Sequence, residues 1–125
     1  MTDSTNSLDE LTNDLNVALA LAEQRLARLD LKVSAFITLR EGGKLHWKKH
    51  QDTWGLFVEV PSTGLTSIAK TGRKIRIEAA GALKELHKAL FDERAAQIEA
   101  AKAAIKSIDS FLDELDEANP EEPGT

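Results

Sequence analysis

Cysteine is absent from this 125-residue chain. That removes three chemistries together: a disulfide framework, a thiolate nucleophile and cysteine-ligated zinc. Also lacking is any run near the ~18 consecutive apolar residues that a membrane-spanning helix requires. The opening "MTDSTNSLDELTNDL" has neither a basic start nor a continuous apolar stretch, so no secretory leader is expected. The default reading is a cytoplasmic, bacterial protein with no membrane association. Missing too are the spacings that announce catalysis. Ser62, Ser67, His46, His50, His87 and many acids are present. Nothing groups them: there is no nucleophile elbow, no paired-histidine helix and no glycine-rich fingerprint. Neither an enzyme activity nor a cofactor is expected.

What the chain does have suits one globular domain: 42% hydrophobic and 30% charged residues, in a length sufficient for a real core. The net charge of −5 conceals a partition. Residues 1–31 hold six acids against two bases, and residues 77–125 hold twelve against five. The middle, residues 32–76, reverses this with nine bases against three acids. Such a pattern fits either mutual attraction between segments of one fold or a local anion-binding face. Because the whole chain is acidic, it repels polyanions over about a Debye length, ~8–10 Å. That favours the first reading.

Periodicity gives the fold class, α+β, in the order α-β-β-β-α. Leu8, Leu11, Leu15, Leu19, Ala22, Leu26 and Leu29 recur at three- and four-residue steps, predicting a helix over 8–30. Ser7 and Glu10 have capping-box spacing. The period then becomes two, predicting strands over 33–40, 44–50 and 54–60 that form a three-stranded antiparallel meander. In the first hairpin, a three-residue loop with left-handed Gly43 would pair Leu39 with Leu45 and Ile37 with Trp47. That keeps one face apolar. In the second, His50 opposite Thr53 sets Trp47 against Leu56 and Leu45 against Val58. Lys49 then lies beside Trp54, within reach of a cation–π contact. Pro61 ends the pairing, "PSTGLTSIAK" reads as a loop, and Thr71 caps a long helix over 72–118. Residues 1–7 and 119–125 have no pattern that would fold.

The segment "KLHWKKHQDTW" raises the question of a metal. His46 and His50 share a strand face but stand about 13 Å apart at ~3.3 Å per residue, too far for one zinc ion at ~2 Å from each ligand. No metal site is expected. "GLTSIAKT" falls one residue short of a Walker loop, with Ala69 where glycine should be and no parallel sheet to carry it. Lys70, Arg73, Lys74 and Arg76 still gather near a helix start, where free backbone amides add to their charge. On the outward sheet face, Lys44, His46, Lys48, His50 and Phe57 would lie beside Phe36 and Arg40. Bases there neutralise phosphates and aromatics stack on unpaired nucleobases. Lys44, Lys48, Lys49, Lys70, Arg73, Lys74 and Arg76 are thus the candidate contacts for an anion or nucleic acid.

The final third carries a heptad. Phe91, Ile98, Ile105 and Leu112 repeat every seven residues, with Arg94, Ala101, Ile108 and Leu115 between them; this is coiled-coil spacing with one charged misfit. A helix over 72–118 would extend about 70 Å at 1.5 Å per residue, against about 35 Å for the first. Neither the first helix nor a three-stranded sheet can cover its full stripe, unless it bends near Leu90. Ile98, Ile105, Ile108, Leu112 and Leu115 are therefore the candidate partner interface. A homodimer is the simplest cover. The expected function is a non-enzymatic interaction module (adaptor, regulator or chaperone-like binder), with nucleic-acid binding as the alternative.

One local likeness accompanies this reading. "TWGLFVEV" followed by "TGRKIRIEAAGALKELHKAL" resembles small uncharacterised bacterial proteins in which a tryptophan-bearing hairpin leads into a helix. Trp54, Leu56, Val58, Arg76 and Ala80 carry the likeness over some forty residues. It implies an α+β hairpin-plus-helix domain and transfers no function.

Overall fold

A computed structural model describes residues 7–118. The terminal stretches 1–6 and 119–125, expected to be unstructured, lie outside the described residues. The chain is α+β, ordered α1 (Leu8–Arg28), β1 (Ala35–Thr38), β2 (Lys44–His50), β3 (Thr53–Val60), β4 (Gly64–Ser67) and α2 (Arg73–Ala118). It divides into two compact units between Glu93 and Arg94.

Ser7 caps α1 rather than belonging to the tail: its hydroxyl accepts from the Glu10 N–H at 3.2 Å and donates to the Glu10 carboxylate at 3.1 Å. The helix ends two residues before the expected boundary. Asp30 and Lys32 take left-handed φ values of 51° and 58°, which no helix can continue through. These two residues turn the chain into the sheet, and between and after them Leu31 and Val33 enter the core.

The sheet has four antiparallel strands in the order β1-β2-β3-β4, so the expected three-stranded meander is one strand short. The region read as a loop supplies β4, which pairs back onto β3 from Val60↔Gly64 to Phe57↔Ser67. Pro61 therefore begins a turn instead of closing the sheet, with the Thr63 N–H donating to Val60 O at 3.1 Å. The second hairpin has the expected register, with Trp47 opposite Leu56 and Leu45 opposite Val58. Its two turn residues, Gln51 and Asp52, are both left-handed, at φ 52° and 67°, as a two-residue turn matched to strand twist requires.

The first hairpin is slid by two residues from its expected register. Ile37 faces Leu45 and Ala35 faces Trp47, while Leu39 N donates to Gly43 O at 2.7 Å across the turn. The left-handed glycine is Gly42, at φ 89°, not Gly43. A slip of two preserves the faces. Accordingly Val33, Ala35, Ile37 and Leu39 still turn inward while Ser34, Phe36, Thr38 and Arg40 are exposed, although only four of these residues form paired strand.

Inside the first unit, Leu45, Trp47, Leu56 and Val58 from the sheet pack with Leu19 of α1 and with Ala79, Ala82, Leu86 and Leu90 of α2. One sheet face is thus covered, and the other is open. Two carboxylates tie helices to strand backbone. Glu78 of α2 accepts from the Arg40 N–H at 2.5 Å, and Glu23 of α1 accepts from the Leu56 N–H at 2.8 Å. The second has a clear cause. Leu56 lies one residue past the last β3–β4 pair, so its N–H on that side has no strand partner, and Glu23 satisfies it.

Helix α2 runs 46 residues as one helix, so of the alternatives the sequence leaves open, a break in the helix near Leu90 does not occur. Thr71 does not cap it. The Thr71 hydroxyl donates to Ile68 O at 2.7 Å, closing the short 3-10 turn Ile68–Lys70, and Gly72 O receives the first α2 bond from the Arg76 N–H.

Candidate functional site

Two surfaces hold the residues singled out from the sequence. The first is the open face of the sheet. Strand pairing aligns Phe36, His46, Phe57 and Ser67 in one row across all four strands, with Thr38, Lys44, Glu59 and Leu65 in the row beside it. Period two on β2 adds Lys48 and His50 to the same side. The rings touch: Phe36 and His46 have centroids 5.4 Å apart, and His50 meets Phe57 edge-on at 5.3 Å. Lys44 Nζ lies 4.9 Å from the Phe36 ring centroid, so the cation–π contact of this sheet forms there. Trp54, the expected partner of Lys49, stacks instead on Trp47 at 6.3 Å.

Phe36 is 50% exposed, which is unusual for a large aromatic in a sheet whose other face is fully packed. Next to this row, His50, Phe57, Leu65, Ser67 and Lys70 line an open cleft of about 410 Å³. Its Leu65–Ser67 wall does not follow from periodicity, because Gly64–Ser67 has too little alternation to mark a strand. A short Gly-bearing stretch after a strand is a hairpin signal that could have found it.

The open face also has an internal hydrogen-bonded pair, His46 Nε2 to Glu59 Oε1 at 3.0 Å. The Glu59 carboxyl is held below its ordinary range, first by the hydrogen bond from His46, against desolvation, and further by the charges of His46, Lys44 and Lys48. A depressed carboxylate contributes stability above its unfolded pKa and loses it as pH falls through the folded value. Carbon-detected NMR should therefore find Glu59 titrating below an ordinary glutamate. His46→Ala should move that midpoint upward; an unchanged midpoint would mean the hydrogen bond is not its cause.

Apart from Lys70, which lines the open cleft, the remaining basic candidates do not converge on the open face. Lys49 alternates to the other side of β2, exposed at the sheet end opposite Trp54. Lys70, Arg73 and Lys74 are exposed around the start of α2. Arg76 is half-buried: one guanidinium nitrogen donates to the Thr71 carbonyl, while Nε is buried with no hydrogen-bond partner among the described residues. Arg76 thus fastens the 3-10 turn to α2 and does not reach outward. Among the described residues, no three His, Asp or Glu side chains are placed to hold one metal ion.

The second surface is the helical segment 94–118, in which every residue is exposed. Ile105 and Ile108 stand at 59% and 56%, with Ile98, Leu112 and Leu115 between 39% and 49%. All five candidate interface residues lie on the heptad stripe. Phe111, 56% exposed, flanks it and was not singled out.

No helix among the described residues is long and apolar enough to cross a membrane. No protein-family model, curated protein or solved structure matches the chain.

Proposed function

We propose that this chain is a non-enzymatic interaction module of the cytoplasm, acting as an adaptor, regulator or chaperone-like binder, and that it forms a homodimer through residues 94–118. The observation that carries this reading is the exposed heptad stripe: Ile98, Ile105, Ile108 and Leu112 repeat on one side of the helical segment 94–118, in which no residue is buried. Fully burying an Ile or Leu side chain stabilises by about 1.5–3 kcal/mol, and a second copy offers the same ridge in return.

Light scattering should report twice the 13.7 kDa chain mass. Ile105→Asp with Ile108→Asp should return it to a single chain while the melting of the sheet unit stays unchanged. A wild-type chain that is monomeric at high micromolar concentration would refute the dimer.

A second reading has its own support, the ring row Phe36–His46–Phe57 flanked by Lys44 and Lys48 on the open sheet face. Exposed rings beside ammonium groups suit unpaired nucleobases and their phosphates. This reading requires single-stranded RNA or DNA binding that weakens with salt and by roughly tenfold with Lys44→Glu plus Lys48→Glu. Binding indifferent to both, or none at low salt, would eliminate it.

A further inference from the structure

The geometry and charge of residues 94–118 point to one orientation, and we infer that two copies of this segment pair antiparallel, with Ala101 facing Leu112 and Ile105 facing Ile108 of the other copy. This rests on the dimer reading above and goes further by fixing direction and register. Three features of the helix select it.

The first is the charge along the segment. Residues 94–106 carry Arg94, Lys102 and Lys106 against Glu99, whereas residues 107–118 carry five acids and no base. A parallel pair sets five negative charges beside five negative charges. An antiparallel pair sets each acidic half against a basic half, and like-charge juxtaposition is what specifies against wrong pairings.

The second feature is the flank of the seam. With Ile98, Ile105 and Leu112 at one core position of the heptad and Ala101 and Ile108 at the other, Lys102 and Asp109 occupy equivalent flanking positions one heptad apart. In the antiparallel register, Lys102 of each copy meets Asp109 of the other, twice by symmetry. Among the described residues Lys102 makes a loose contact with Glu99 at 3.5 Å, both side chains being largely exposed. In a parallel pair Lys102 and Asp109 never meet.

The third is shape. Ala104 and Phe111 share the other flanking position. Antiparallel pairing brings each Phe111 ring over an Ala104 of the opposite copy, filling the space a methyl group leaves. Parallel pairing would direct Phe111 toward the acidic Asp116 and leave Ala101 against Ala101, a gap in the seam.

The chain has no cysteine of its own, so two single-cysteine variants, Ala101→Cys and Leu112→Cys, report orientation without interference. Mixed, oxidised and resolved by intact mass, they should give the 101–112 heterodisulfide in roughly tenfold excess over either homodisulfide. A disulfide needs Cα atoms within about 7 Å, and equivalent positions in the antiparallel pair lie eleven residues apart along the axis, about 16 Å. Dominant homodisulfides would overturn the antiparallel register while leaving the dimer standing. No cross-link, with a wild-type chain of single mass, would overturn both.

Discussion

Leu86→Ala is expected to destabilise the sheet unit by about 3–4 kcal/mol, lowering its melting temperature by roughly 15–20 °C. Leu86 lies in the part of α2 that covers the sheet. It has no exposed surface, and neither do its neighbours Leu45, Leu56, Val58 and Leu90. Removing three carbons there opens a hole that a sheet on one side and a helix backbone on the other cannot close, so the lost transfer energy and the cavity both count. Alanine keeps the helix, so the loss reports packing and not helix propensity. Thermal and urea unfolding should agree. A loss below about 1 kcal/mol would mean that α2 does not pack on the sheet as described.

Gly55→Ala is the second large effect, at about 2–3 kcal/mol, and its cause can be tested by a companion change. A Cβ at residue 55 would lie 2.8 Å from Glu23 Oε2 and 3.3 Å from the Phe57 ring. The same Glu23 oxygen accepts from the Leu56 N–H, so the new methyl either clashes or displaces the carboxylate and orphans a part-buried donor. Glu23→Ala alone should cost about 1–3 kcal/mol for that orphaned N–H. In the double variant the two losses should fall short of additivity by about 1 kcal/mol or more, because the carboxylate that obstructs the methyl is already gone. Strict additivity would show that Glu23 and Gly55 do not share this contact.

The Glu23 contact was hidden in the sequence, and the reason is physical. Periodicity reads which side of an element is apolar. It therefore placed Leu45, Trp47, Leu56 and Val58 inward and Lys44, His46, Lys48 and His50 together on the open face. It does not reveal a carboxylate reaching from Glu23 to a backbone N–H thirty-three residues away. Register in the first hairpin escaped for a related cause: alternation fixes register only to within steps of two, so Ile37 could face Leu45 or Trp47 without disturbing the core. Strand β4 has a single large apolar residue, Leu65, among Gly64, Thr66 and Ser67, and it becomes a strand by pairing with β3, not by its own pattern. Asp30 ended α1 early through a left-handed turn usually signalled by glycine. The stripe of α2 over residues 94–118 was legible because its spacing persists where no tertiary contact competes with it.

The widths of the strands have one more effect. The sheet is built with its long members, β2 and β3 of seven and eight residues, in the middle, and its rims, β1 and β4, are only four residues each. An extraneous strand trying to extend the sheet at either rim would find a template too brief to hold it. Fibril growth by rim addition is thereby starved of a nucleus, and crowded or partly heated samples of this chain should stay clear longer than their exposed phenylalanines alone would suggest.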